Sequence, residues 1–335
     1  MANISIFDQT KNILPVYWTY CGLGGFAFLA NFLIVFVYLS TSTLRSKFAL
    51  FIGLAIAEGI NGAGFLITGM ERLITEYSLQ DVYSYPKVTR SDCASQIGNT
   101  LLIIGSQGPA LISVALGIER FCAIKFPASY RRFKERMFHF LLVLTTFSCI
   151  ISACMALYIG LSLEKDIPAF FTCSLSLAFG YTYTTFNYLF TSFGHFAGFI
   201  FNSIAFWIIQ NFKNSAKNKT FLKEVDQIRL MLFITICSLI MVVAPNLFLY
   251  LARFNIYTVD NMFLGWLNCA FVFRSAFSLY LLGFRSPKFR QRFFELTGCC
   301  TAFKVLPSDA MKSLSHTIPT RNFTRPATQS PITVF

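Results

Sequence analysis

The sequence predicts an all-α membrane protein: a seven-transmembrane helix bundle with a short amphipathic eighth helix, its N-terminus outside and its C-terminus inside. Of its 335 residues, 55% are hydrophobic and 13% are charged, whereas a soluble domain carries about 25% charged residues. The apolar residues fall in seven long runs, and the basic residues lie in short segments between them. A net charge of +13 spread in this way does not predict nucleic-acid binding, which needs one continuous basic surface.

Each apolar run has near or above the ~20 residues that a helix needs to cross the hydrocarbon core. The predicted spans are 17–40, 48–70, 94–124, 138–162, 185–210, 229–252 and 261–283. Residues 1–16 are predicted as an extracellular N-terminus and 284–300 as an amphipathic membrane-surface helix. The Ser-, Thr- and Pro-rich remainder, 301–335, is predicted as a disordered cytoplasmic tail.

The distribution of lysine and arginine predicts the orientation. Segments 41–47, 125–137, 211–229 and 284–335 contain 2, 5, 5 and 8 of them, 20 in all, and the opposite segments contain six. Cytoplasmic loops carry the excess of positive charge, so the N-terminus is predicted outside. Asn3 opens an Asn-Ile-Ser sequon that glycosylation enzymes reach only on that side.

The segment 284–300 has its own pattern. Phe289, Phe293 and Leu296 recur at helical spacing, with four basic residues interleaved. This pattern predicts a helix lying on inner-leaflet lipid. Cys299 and Cys300 follow it and are candidate palmitoylation sites, although they fit unmodified cysteines equally well.

The end of the third run carries a compact motif. Glu119 and Arg120 are adjacent, Pro127 follows seven residues later, Tyr130 three residues after that, and a basic cluster comes next. The positive flank of any helical membrane protein would also be basic, so the motif needs support from other segments.

Other segments supply that support. The first run contains Leu29-Ala-Asn31, and the second contains Leu54-Ala-Ile-Ala-Glu58. The end of the seventh run and the segment after it read Gly283-Phe-Arg-Ser-Pro-Lys-Phe-Arg290. Together with the Glu119-Arg120 motif, these resemble the signatures of rhodopsin-like (class A) G-protein-coupled receptors. The family's tryptophan before the sixth-helix proline and its Asn-Pro-x-x-Tyr motif are replaced by Val243-Ala-Pro245 and Ser278-Leu-Tyr-Leu-Leu282. This partial erosion resembles nematode serpentine chemoreceptors of the Srsx type.

The resemblance implies a function. Glu119, Arg120, Pro127 and Tyr130 would belong to the switch that contacts a heterotrimeric G protein, and Pro245 would be the hinge of the sixth helix. The resemblance also strengthens the expectation that the outer cysteines, Cys93 and Cys173, form a disulfide. The expected location is the plasma membrane, including the ciliary membrane of sensory neurons.

Polar residues lie inside the runs. A charge at mid-membrane costs about 2.5–3.5 kcal/mol on insertion scales, so Glu58 and Arg274 should not face lipid. We expect a buried ion pair between them, in place of the sodium ion that the resemblance implies, within a polar core with Asn31, Asn61 and Ser278. The alternative is that Arg274 lines a water-filled cavity or a ligand site.

The expected ligand is an extracellular small molecule or peptide bound in the outer half of the bundle. The candidates are polar side chains whose distance from the motifs along each helix places them in that half. Each would also suit packing between helices. They are Ser106, Gln107, His195, Asn246, Tyr250, Trp266 and Asn268.

Other classes fit less well. No cofactor, metal or enzymatic activity is predicted, because there are only three histidines and no intramembrane catalytic cluster. A small-solute transporter is the alternative function. Transporters are typically built from two halves with matching broken helices; Gly105, Gly108 and Pro109 offer one break and no second appears.

Overall fold

Long helices dominate the chain, because helices satisfy every backbone N–H and C=O group within an apolar surrounding. The computed structural model describes residues 6–213, 219–254, 260–285 and 287–297. The first to fifth long helices are Leu14–Leu39, Ala49–Ser78, Ile97–Lys125, Pro127–Tyr158 and Leu175–Lys213. The sixth comprises Lys219–Ser238, a π-helical turn Leu239–Val243, and Ala244–Ala252, and the seventh is Asn261–Arg285. The prediction of an all-helical protein is confirmed.

Shorter elements connect the long helices. Helices Ile6–Thr10 and Lys11–Ile13 precede the first, Ser42–Lys47 follows it, and Arg90–Ser95 precedes the third. The fourth ends in a π-helical turn, Ile159–Leu163, and helix Pro287–Thr297 follows the seventh. Strands Val88–Thr89 and Pro168–Ala169 pair antiparallel.

Six helices among the described residues are long and apolar enough to cross a membrane. They lie within Lys11–Leu39, Ala49–Ser78, Ile97–Lys125, Pro127–Leu163, Leu175–Asn211 and Ile228–Ala252. In the seventh helix the described apolar stretch is Met262–Phe277. It contains Arg274, whose environment is described below.

Several helices extend beyond the predicted apolar runs. The fourth begins at Pro127 rather than 138, because proline is pre-organised for the first helical position and charged residues continue a helix readily outside the apolar region. The fifth begins at Leu175 rather than 185, with a kink at Gly180, whose φ is +80°. The second continues to Ser78. Residues 71–78, which lie beyond the predicted apolar run, therefore form its final turns.

Small residues allow the first and second helices to approach closely. A Cβ added to Gly62 would lie 2.6 Å from the backbone nitrogen of Phe28 and 2.9 Å from the carbonyl oxygen of Gly24. The contact is reciprocal, since a Cβ at Gly24 would lie 2.8 Å from the carbonyl oxygen of Gly62. Close backbone packing of this kind is a main source of helix association in membranes.

One end of the bundle is tied by a disulfide. Cys93, in helix Arg90–Ser95, is bonded to Cys173, just before the fifth helix, and both are buried. Thr89 caps the short helix: its backbone N–H and hydroxyl both donate to the Asp92 carboxylate and lower the pKa of that group. We call this the disulfide end of the bundle and the opposite end the Arg120 end.

The chain divides into two units, Met1–Arg290 and Gln291–Phe335. In the first unit the Phe289 ring lies 5.5 Å from that of Tyr38, centroid to centroid. In the second, Arg292 and Glu295 form an exposed ion pair at 3.0 Å. The predicted glycosylation site, Asn3, and palmitoylation sites, Cys299 and Cys300, lie outside the described residues, as does 301–335.

Replacing Gly62 by alanine should destabilise the protein by about 1–3 kcal/mol, because the added methyl group would overpack the contact between the second helix and the backbone of the first. The measurement is the thermal unfolding midpoint of the purified protein. Gly22→Ala is the matched control, since no atom lies within 4 Å of a Cβ at Gly22. Equal midpoints for the two variants would contradict the packing described.

Candidate functional site

A cavity of about 650 Å³ lies between the helices and is lined by 32 residues, among them Thr10, Glu76, His195, Asn246, Asn268 and Arg274. We call it the inter-helical cavity. On the second helix its lining runs from Glu76 to Asn61, a rise of about 22 Å at 1.5 Å per residue. It therefore extends from the disulfide end deep into the bundle.

Four of the seven residues predicted to bind ligand line the inter-helical cavity: Ser106, His195, Asn246 and Asn268. His195 and Asn246 are almost fully buried, and His195 Nδ1 has no hydrogen-bond partner among the described residues. A polar atom in that state costs free energy unless a water or ligand pairs with it.

The other three, Gln107, Tyr250 and Trp266, do not line the cavity. Gln107 is fully buried, and its Nε2 donates to Asn187 Oδ1 at 2.7 Å, joining the third helix to the fifth. Tyr250 packs edge-on against Phe254 with ring centroids 5.0 Å apart. Trp266 is 43% exposed on the outside of the bundle. The position of a residue along its helix was therefore not enough to predict whether its side chain faces the cavity, a neighbouring helix or the outside of the bundle.

Sequence reasoning missed several residues that line the cavity, including Tyr17, Tyr20, Arg72, Glu76 and Thr191. Arg72 and Glu76 lie beyond residue 70, where the second apolar run is predicted to end, so they were not among the candidates. The signal that marks them is their spacing: residues four apart share one face of a helix. The same face carries Asn61.

The floor of the cavity holds the buried ion pair. Arg274 Nη2 contacts Glu58 Oε1, with only 7% and 2% of the side chains exposed. Arg274 Nη1 also donates to Ser238 Oγ at 2.8 Å. Arg274 also lines the cavity. It therefore has both of the predicted environments, the ion pair with Glu58 and a place in a cavity wall.

Ser275 joins Glu58, Asn61 and Asn31 in the polar core. The Ser275 hydroxyl donates to Glu58 Oε2 and accepts from Asn61 Nδ2 at 3.0 Å, while the Ser275 carbonyl accepts from Asn31 Nδ2 at 2.9 Å. The Ser278 side chain lies outside the described part of the structure. Arg274 and Ser275 thus join the seventh helix to the first and second helices through hydrogen bonds and an ion pair.

The sixth helix is joined to the fifth near the disulfide end. Arg253 Nη1 donates to the Tyr181 carbonyl and to Thr185 Oγ1, both at 2.6 Å. The Arg253 guanidinium also stacks over the ring of Tyr188, 5.0 Å from its centroid. Because Tyr188 lines the cavity, this contact connects the cavity wall to the end of the sixth helix.

At the Arg120 end, Glu119 is buried and has two partners. Tyr130 donates its hydroxyl to Glu119 Oε1, and Arg120 Nε lies 3.1 Å from Oε2 but is not aligned for a hydrogen bond. Pro127 is exposed at the start of the fourth helix. Pro245 is buried directly after the π-helical turn of the sixth.

Breaking the ion pair at one residue should cost about 3–5 kcal/mol of stability, because a buried charge then has no partner. We expect Arg274→Met and Glu58→Gln each to lower the unfolding midpoint, and the double variant to be more stable than the two losses added together predict. The measurement is a double-mutant cycle on purified protein. Strictly additive losses would contradict direct coupling.

The chain was also compared with known proteins. The family model described as "Serpentine type 7TM GPCR chemoreceptor Srsx" matches residues 25–297, which include the second to seventh long helices. None of the curated proteins compared with the chain matches it. The resemblance predicted from Glu119-Arg120 and the accompanying motifs is therefore confirmed, and the chain belongs to the Srsx family of serpentine seven-transmembrane G-protein-coupled chemoreceptors.

Proposed function

We propose that this receptor binds an extracellular small molecule or peptide in the inter-helical cavity and activates a heterotrimeric G protein. The observation that carries the proposal is the cavity itself. It is deep, it contains buried polar atoms that have no partner among the described residues, and its floor residue Arg274 is hydrogen-bonded to the sixth helix. A pocket with a few polar groups in a largely apolar wall is the usual form of a small-molecule site.

The disulfide end is proposed to face the extracellular side of the plasma membrane. Disulfides persist in oxidising compartments, and the excess of lysine and arginine falls on the opposite side of the bundle. Ligand would then enter beside Thr10, and the G protein would bind at the Arg120 end.

Signalling is proposed as a shift between two populations of the bundle. Ligand contact near Arg274 changes the strength of its bond to Ser238, one residue before the π-helical turn. Such turns interrupt the regular backbone ladder and are frequent at functional sites. The inner part of the sixth helix then moves about the segment that ends at Pro245, away from the third helix.

Arg120 is proposed as the residue released toward the G protein. Glu119 holds it by proximity alone, since Nε is not aligned for a hydrogen bond, whereas Tyr130 binds the same carboxylate directly. A weakly held arginine beside a well-anchored carboxylate suits a switch that must open for a small change in free energy.

Membrane anchoring completes the proposal. Helix Pro287–Thr297 would lie on inner-leaflet lipid, with palmitoyl groups on Cys299 and Cys300 as a second membrane signal. A glycan on Asn3 would mark the extracellular N-terminus. These assignments rest on the amphipathic pattern, on the cysteine positions and on the sequon.

The test is nucleotide exchange by G-protein α subunits of each class, with the purified full-length receptor in lipid nanodiscs and no ligand. We expect basal exchange in the wild type and an increase of about fivefold or more for Glu119→Gln, the lower end of typical coupling free energies. Arg120→Ala should abolish the exchange.

Tyr130→Phe is the matched control, because it removes one hydroxyl that binds Glu119 and leaves the carboxylate in place. It should raise basal exchange less than Glu119→Gln does. No exchange with any G protein, together with solute uptake by proteoliposomes, would overturn the receptor function in favour of transport.

A further inference from the structure

Arg72 places a cationic group in the wall of the inter-helical cavity. Among the described residues it makes no hydrogen bond or ion pair, and its Nε is buried without a partner. Its guanidinium instead lies over two aromatic rings, 5.6 Å from the centroid of Tyr17 and 6.0 Å from that of Tyr20. Cation–π contacts leave the in-plane N–H donors of an arginine available.

Glu76 places a carboxylate in the same wall. Its side chain is 1% exposed. Oε2 accepts a hydrogen bond from Thr10, and Oε1 is buried with no partner in the described part of the chain. A buried carboxylate oxygen without a donor carries a large desolvation cost, which a donor brought by a ligand would offset.

The two charges do not neutralise each other. Arg72 and Glu76 stand four residues apart on the second helix, where Cβ atoms are about 5–6 Å apart, yet no nitrogen–oxygen pair between these two residues lies within 4.0 Å. The other charged residues of the lining are Arg274, paired with Glu58, and Asp260, which is exposed. Among the described residues of the lining, one cation and one anion are therefore close together on one helix face, and neither has an ion-pair partner within 4.0 Å.

Beside this pair the cavity wall is apolar. Tyr20, Phe65 and Leu102 line it and belong to one buried cluster. The cavity continues toward Asn61, about 16 Å below Arg72 along the second helix. This space suits a bulky apolar side chain attached to a small charged head.

We propose that the ligand is a free α-amino acid with a large apolar or aromatic side chain, its carboxylate bound by Arg72 and its ammonium by Glu76. This inference deepens the proposed function and rests on it. A monovalent anion would leave Glu76 Oε1 unpaired, and a monovalent cation would leave Arg72 unpaired. A zwitterion with adjacent charges pairs with both, and the short Arg72–Glu76 spacing excludes a molecule with charges at opposite ends.

The test uses direct binding to the purified full-length receptor in nanodiscs, with radiolabelled L-phenylalanine, L-tyrosine and L-leucine as probes. Each probe is compared with its N-acetyl and carboxamide derivatives, which lack one charge. We expect saturable binding of at least one free amino acid and about tenfold to a hundredfold weaker competition by both derivatives, the usual effect of losing a charged hydrogen bond. These measurements need no variant.

Arg72→Gln and Glu76→Gln should each weaken binding by about tenfold or more. Asp81→Asn is the control: it removes one carboxylate charge from an exposed residue after the second helix, outside the cavity lining, and should change affinity by no more than about twofold. Equal competition by the blocked derivatives, or an equal loss in Asp81→Asn and Glu76→Gln, would overturn the inference.

Absence of binding by all three probes would also overturn it, provided that the preparation shows basal nucleotide exchange. Because that exchange needs no ligand, it reports the proposed receptor function separately. Failure of exchange together with failure of binding would reject both; failure of binding alone rejects only the amino-acid ligand.

Discussion

The ion pair between Glu58 and Arg274 is the constraint on which the arrangement of the helices depends. Neither charge can face lipid, and neither can remain unpaired in a low-dielectric interior. The seventh helix must therefore hold Arg274 against the second, and this register brings Ser275 to Asn31 and Asn61. Because both charges belong to side chains, the pair fixes the position of the seventh helix relative to the second.

In the proposed mechanism the same arginine connects ligand binding to signalling. Arg274 lines the inter-helical cavity and donates to Ser238, where the regular sixth helix gives way to its π-helical turn. The sixth-helix tryptophan of rhodopsin-like receptors is absent here, and the proposed mechanism uses this polar contact in its place. Arg72 and Glu76 lie at the other end of the cavity, where the proposed amino-acid ligand would bind.

Much of this could be predicted from the sequence, for physical reasons. A charge at mid-membrane is so costly that Glu58 and Arg274 were each expected to have a partner, and the predicted topology puts Cys93 and Cys173 on the same side, the oxidising one, where disulfides persist. Helix ends were harder to predict, because the second helix continues past its apolar run to Ser78. That difference of a few residues concealed Arg72 and Glu76. Side-chain direction was also unpredictable: Gln107 and Ser106 are adjacent, but only Ser106 faces the cavity.

The central claim is that the Arg274–Ser238 contact holds the sixth helix in its resting position. It is tested most directly by pulsed electron spin resonance distances between two probes, one at Lys125, the last residue of the third helix, and one at Arg229, in the first part of the sixth helix. Ser238→Ala removes one hydroxyl and leaves the Glu58–Arg274 pair intact. The account predicts that, without ligand, this variant populates longer distances than the wild type. An unchanged distance distribution in a fully folded variant would contradict it.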